Sequence, residues 1–138
     1  DGVASAAIAT WVMPASREPP LVAVAIAKDS DVNSLMHSRD VFVLNLLAEG
    51  AYADSLKHFQ QDFAPGSDVF AGIDTTEITV PGGGQGIVIR GCGGHVTCRV
   101  ISRMEAADHD IVTGKVVEGE MVKDVPVAAN HRKSGAYY

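Results

Sequence analysis

Ile8-Ala9-Thr10-Trp11-Val12-Met13-Pro14-Ala15-Ser16-Arg17-Glu18-Pro19-Pro20-Leu21-Val22-Ala23-Val24-Ala25-Ile26-Ala27-Lys28 is the stretch on which the fold turns. It reads as two strands joined by a Pro-rich corner. Val3–Met13, rich in Ala and β-branched residues, suits helix and strand alike, and Thr10-Trp11-Val12 ahead of Pro14 favours a strand. Arg17-Glu18-Pro19-Pro20 is a turn, because each proline fixes its own φ and pushes the residue before it into an extended conformation. Leu21–Ala27 is apolar without a break, which reads as a strand covered on both faces. It stops at Lys28-Asp29-Ser30, a cation, a carboxylate and a hydroxyl that could grip a phosphate or merely end a strand. Trp11, the one tryptophan, reads first as a core residue whose indole N–H seeks an acceptor.

Outward from this stretch, Asp31–Ser38 reads as a short helix, with Asp31 as N-cap and Val32, Leu35 and Met36 on one face. Asp40–Leu47 is a third strand interrupted by Asn45, which needs either backbone partners or a ligand if it is buried. Tyr52–Phe63 has Leu56, Phe59 and Phe63 at helical spacing. Val69–Ile73 leads into a loop, and Pro81–Gly86 is a flexible turn. The last third reads as strands at Ile87–Arg90, His95–Met104 and Asp110–Glu118, with a polar turn at Glu105–Asp110 and a short apolar segment at Val125–Ala129. The sum is one mainly β domain, a small β-barrel or closed sheet with short helices.

Composition excludes several classes of function. A net charge of −6 over 138 residues argues against a nucleic-acid surface, which needs clustered Lys and Arg. No apolar run approaches the roughly 20 residues of a membrane helix, so no membrane insertion is expected. Cys92 and Cys98 match neither a zinc pair nor a redox pair, and read as small buried hydrophobes of a reducing compartment, although spacing alone permits a bridge. The histidines His37, His58, His95, His109 and His131 show no metal-ligand spacing, so no metal is expected. Gly82-Gly83-Gly84-Gln85-Gly86 lacks the Lys-Ser/Thr and the helix of a phosphate loop, and no Gly-x-Ser-x-Gly occurs. Ala107-Asp108-His109-Asp110 leaves two readings: a solvated turn, or a histidine whose protonated form is favoured beside a ligand by flanking carboxylates.

The motifs in order resemble a known family. Ala9–Ser16, Pro19–Val24, Ala27-Lys28-Asp29, Phe42-Val43-Leu44-Asn45-Leu46-Leu47, Phe70–Ile73 and Ala107-Asp108-His109 are similar to the flavin reductase-like domains, which form the FMN-binding split barrel. Trp11-Val12-Met13, Lys57-His58-Phe59, Phe63–Gly66 and His131–Tyr138 most resemble the C-terminal flavin reductase module of flavodiiron proteins from cyanobacteria and algae. Two departures are visible: Ile8 stands where most members carry Thr, and Pro81–Gly94 is Gly-rich where relatives have a compact apolar stretch.

This resemblance implies that residues 1–138 form one flavin reductase-like domain, cut from a longer multidomain chain. It implies FMN as cofactor, NAD(P)H as electron donor, and electrons passed toward flavodoxin-like and diiron domains where oxygen is reduced to water. Main-chain N–H groups of Ala9, Thr10, Trp11 and Val12, and of Asn45, Leu46 and Leu47, would meet the polar edge of the flavin, with Ser16 adding a hydroxyl. Lys28 and Ser30 would meet the phosphate, Asp29 would orient Lys28, and His109 would help position the nicotinamide. The family also implies a homodimer or homo-oligomer, in a cyanobacterial cytoplasm or an algal chloroplast stroma. Two other functions stay open: a stand-alone reductase supplying reduced flavin to a monooxygenase, and a non-catalytic flavin-binding module.

Overall fold

The Pro-rich corner forms where the sequence places it. Arg17 pairs with Pro20 across Glu18-Pro19, joining strand β1 (Val12–Arg17) to β2 (Pro20–Ala27). The computed structural model describes residues 4–50 and 52–127, so Val3, Ala128 to Tyr138 and the tail motif His131–Tyr138 lie outside the described residues. After β2 come α1 (Asp31–Ser38), β3 (Val41–Leu46), α2 (Tyr52–Phe59), β4 (Thr75–Thr79), β5 (Gln85–Ile89), β6 (Gly94–Glu105) and β7 (His109–Met121). Five strands form an antiparallel sheet in the order β1-β2-β7-β6-β3, and β4-β5 form a separate ribbon. No helix among the described residues is long and apolar enough to cross a membrane.

Several boundaries move relative to the sequence reading, each for a local reason. Regular structure in the first segment begins only at Val12, and Pro14 is accommodated beside a register shift between Pro14 and Ser16. Helix α1 is capped by Ser30 rather than Asp31: the Ser30 hydroxyl accepts from the Asn33 N–H at 3.2 Å. Its buried residues are Asn33 and Met36, while Val32 and Leu35 are only half-buried. Helix α2 stops at Phe59, and Phe63 follows it outside the helix. The loop expected after Ile73 is in part strand β4. Val127 makes a single bridge to Ala48.

Strand β2 is not covered on both faces. Only Val24 is fully buried, against Val112 of β7. The run Val22-Ala23-Val24-Ala25-Ile26-Ala27 alternates large with small, and counting Ala as simply apolar hides that period of two. The large residues face the core with Val112. The alanines lie on the other face of the sheet.

The Gly-rich segment is the β4–β5 turn, and it is held rather than loose. Gly82, Gly83 and Gly84 all have positive φ, a conformation that side chains with a Cβ rarely adopt. The Arg99 guanidinium, from β6, donates to the carbonyls of Pro81 and Gly83 at 2.9 Å each. Cys92 and Cys98 are free and buried. Burial raises both thiols, that of Cys98 to about 11, so they stay protonated at neutral pH and serve as core.

Candidate functional site

β7 starts at His109, and strand alternation sends His109 and Asp110 to opposite faces of the sheet. On one face the His109 ring lies 4.7 Å, centroid to centroid, from Trp11, tilted by 40°. Trp11 is 43% exposed, so the lone tryptophan is a surface aromatic and not a core residue. The Ala25 N–H donates to the Trp11 carbonyl at 3.0 Å, and Ala27 sits directly opposite His109. Ala25 and Ala27 therefore bring small side chains to the surface beside the two rings, leaving a shallow apolar face. Asp108 Oδ1 is 2.8 Å from His109 Nδ1. That hydrogen bond, helped by Asp108's own backbone N–H and the His109 charge, holds the Asp108 carboxyl below its usual range.

On the other face Asp110 is 6% exposed. Its Oδ2 accepts from Asn33 Nδ2 at 2.9 Å and lies 3.2 Å from His37 Nε2. Lys28 Nζ stands 4.0 Å from Asp110 Oδ1 and 2.6 Å from Glu105 Oε1. The Asn33 hydrogen bond is the largest cause lowering the Asp110 pKa, with His37 and Lys28 adding to it against the cost of desolvation. Arg103 donates to the carbonyls of Met36 and Arg39 at 2.8 Å each, closing the C-terminal end of α1. Lys28, Asn33, His37, Arg103, Glu105 and Asp110 line the cleft between α1 and the β6–β7 turn.

A carboxylate whose folded pKa is depressed contributes stability that is present above its unfolded pKa and lost as pH falls through the folded one. Asp110→Asn is therefore expected to lower the urea midpoint at pH 7. The gap to wild type should narrow as pH drops below about 4, where the unfolded aspartate titrates. Equal gaps at pH 7 and pH 3 would show that the charge of Asp110 plays no part.

The residues expected to meet a ligand fall into separate places. Trp11 and His109 are together, and the Lys28 backbone N–H donates to the Asp108 carbonyl at 2.9 Å, so Lys28 borders the same segment from the opposite face. Ala9 and Thr10 are exposed and precede β1, Val12 is exposed at its start, and Asp29 is exposed. The Ser30 hydroxyl donates to the Ala27 carbonyl at 2.8 Å while capping α1, so its proton is already committed. Ser16 lies opposite Leu21, which pairs with Lys115 partway along β7. Asn45, Leu46 and Leu47 are at the far end: Asn45 pairs with His95, and His95 with Glu120 near the end of β7. The Asn45 amide is spent on β5, donating to the Ile87 carbonyl at 3.1 Å and accepting from the Ile89 N–H at 2.9 Å.

Asn33, His37 and Glu105 are not singled out by the sequence as site residues, and Asp110 enters there only as a carboxylate flanking His109. Asn33 and His37 are four apart on a helix, a spacing that puts two polar groups on one face, and it was the signal available. Among the described residues no group of three His, Cys, Asp or Glu side chains is placed to hold a metal ion.

The model of the flavin reductase like domain matches residues 1–137. The chain belongs to this family. It is a flavin reductase type of oxidoreductase domain with a mostly β, split-barrel fold. Over 137 residues it is 43% identical to diflavin flavoprotein A 1 of Synechocystis, covering 99% of this chain and 23% of that one. A diflavin flavoprotein of Nostoc is 39% identical with the same coverage. The chain thus spans less than a quarter of the length of these curated relatives. Among solved structures, the NADH:FAD oxidoreductase SgcE6 of Streptomyces globisporus shares the fold with a TM-score of 0.76 at 24% identity, over 86% of this chain and 68% of that one. A nitrilotriacetate monooxygenase component B from Mycobacterium thermoresistibile has a TM-score of 0.68 at 27% identity, over 82% and 59% of the two chains.

Proposed function

We propose that this domain binds FMN at the Trp11–His109 end of the sheet, takes hydride from NAD(P)H, and passes electrons to the rest of a longer diflavin chain, whose diiron centre reduces oxygen. The observation that carries the reading is the Trp11–His109 ring pair beside the alanine face, an exposed apolar and aromatic surface with a cation at its border. Such a surface suits a flat ring bearing an anionic tail. A structural neighbour from Thermus thermophilus is an FMN-binding protein, and SgcE6 has been solved with NAD and FAD fragments. Relatives four times the length of this chain support a partner within the parent polypeptide.

A bound flavin supplies two-electron uptake and one-electron release, chemistry that no side chain performs. This chain's residues would bind and orient it. Main-chain N–H groups of Ala9–Val12 would meet the polar edge of the ring, and Trp11 and His109 would bound the face that receives nicotinamide. Asp108 holds His109 Nδ1 and so fixes that ring, leaving Nε2 as the nitrogen able to meet ligand. Lys28 would supply charge to the phosphate, with Asp29 beside it. Asn45, Leu46 and Leu47 serve the fold in this reading. Arg99 and Arg103, each donating to two carbonyls, serve the fold. The exposed face around Trp11 and Met13 is the proposed contact with a second copy or a neighbouring domain.

Trp11 is the one tryptophan, so its emission reports this site alone. FMN titration is expected to quench it saturably, and a flat titration would sink the site. Lys28→Ala is expected to weaken FMN roughly three- to tenfold while riboflavin affinity is unchanged. Equal losses for both flavins would remove the phosphate role. Oxidation of NAD(P)H on adding FMN separates the reductase from a non-catalytic flavin module.

A further inference from the structure

We propose that Glu105 is a specificity-determining residue of the Lys28 corner, a carboxylate of the chain that competes with the flavin phosphate for the Lys28 ammonium. The inference rests on the phosphate role of Lys28 given above. Its grounds lie in the strand register. Glu105, the last residue of β6, is the direct cross-strand partner of Asp110 on β7, so two carboxylates face each other across one rung. Like charges directly opposite repel. Lys28 stands between them, 2.6 Å from Glu105 and 4.0 Å from Asp110, and its charge relieves that repulsion.

The two carboxylates are held very differently. Asp110 is buried, and Asn33 and His37 fix its Oδ2 from α1, so it does not leave. The Glu105 side chain is 81% exposed and, among the described residues, is held by Lys28 alone. An exposed ion pair of this kind is weak and easily exchanged. A phosphate arriving at Lys28 therefore displaces Glu105 and meets the residual field of Asp110. Without Glu105, Lys28 would present more net positive charge to a dianion and none to the uncharged tail of riboflavin. Arg103, the other cation of the cleft, is committed to the Met36 and Arg39 carbonyls and does not alter this balance. Glu105 thus sets how far this chain prefers a phosphorylated flavin over riboflavin, and keeps that preference modest.

The test is Glu105→Gln, a neutral isostere that also removes the repulsion with Asp110 and so does not threaten the fold. FMN and riboflavin affinities are read by Trp11 quenching in low salt. FMN is expected to bind roughly three- to tenfold tighter, riboflavin to stay within twofold, and the gain to shrink at about 0.5 M salt as screening cuts the field. In the Lys28→Ala background most of the gain should vanish. An unchanged FMN affinity, an equal gain for riboflavin, or the full gain persisting without Lys28 would each overturn the proposal. If Lys28→Ala loses FMN selectivity while Glu105→Gln is silent, only the Glu105 role fails. If Lys28→Ala loses none, the phosphate reading falls and takes this one with it.

Discussion

Asn45→Ala is expected to cost about 2–4 kcal/mol, read as a lowered urea midpoint with an unchanged slope. The side-chain amide bonds the Ile87 carbonyl and the Ile89 N–H, the two groups that an adjoining strand would satisfy on that edge of β5. One amide therefore replaces a ladder rung and fastens the β4–β5 ribbon to β3. Alanine removes both bonds and leaves a part-buried donor and acceptor without them, which explains an effect larger than the sum of two average hydrogen bonds. Asn45→Asp keeps acceptance from Ile89 N–H but cannot donate to Ile87, and sets a carboxylate against that carbonyl. It should not rescue. A loss below 0.5 kcal/mol for Asn45→Ala would mean that the ribbon is held elsewhere.

Gly114→Val is expected to be comparably severe, about 2–3 kcal/mol or more. A Cβ at Gly114 would come within 2.7 Å of the Phe42 ring atoms Cε1 and Cζ and 2.9 Å of Cys98 Cβ. Gly114 pairs with Val22 and Val100, in the centre of the five-stranded sheet, so the backbone is held on both sides and the Phe42 ring would have to give way. Here the glycine is needed for space and not for its φ. Phe42→Leu in the Gly114→Ala background should recover part of the loss, since the smaller side chain vacates the contested volume. Strict additivity of the two substitutions would refute that packing account.

Legibility from the sequence followed interaction range. The sequence puts the cap of α1 at Asp31, and the structure puts it one residue earlier, at Ser30. The choice between them depends on a φ of −85° and one hydrogen bond to Asn33, a detail that propensity does not resolve. Asn45 was recognised as needing partners, but not which ones, because Ile87 and Ile89 lie more than 40 residues away. Trp11 read as core because aromatics usually are. It is a surface ring since the alanines of β2 leave its face of the sheet shallow. The Gly-rich turn stands where the sequence puts it but is not flexible, and nothing nearby in sequence announces that Arg99 pins it.

By itself the sequence determined what local physics can decide: the proline corner, the two-residue period of the later strands, helix α1 from Asp31 to Ser38, and a run of motifs ordered specifically enough to name the family. Tertiary structure alone decided how the site is divided. His109 and Asp110 are neighbours in the chain, and the pleat sends one to Trp11 and the other to α1. Cross-strand register then set Glu105 opposite Asp110 and placed Lys28 between two carboxylates. Register is a relation between strands, fixed by how their apolar faces pack together, and no window on a single segment contains it.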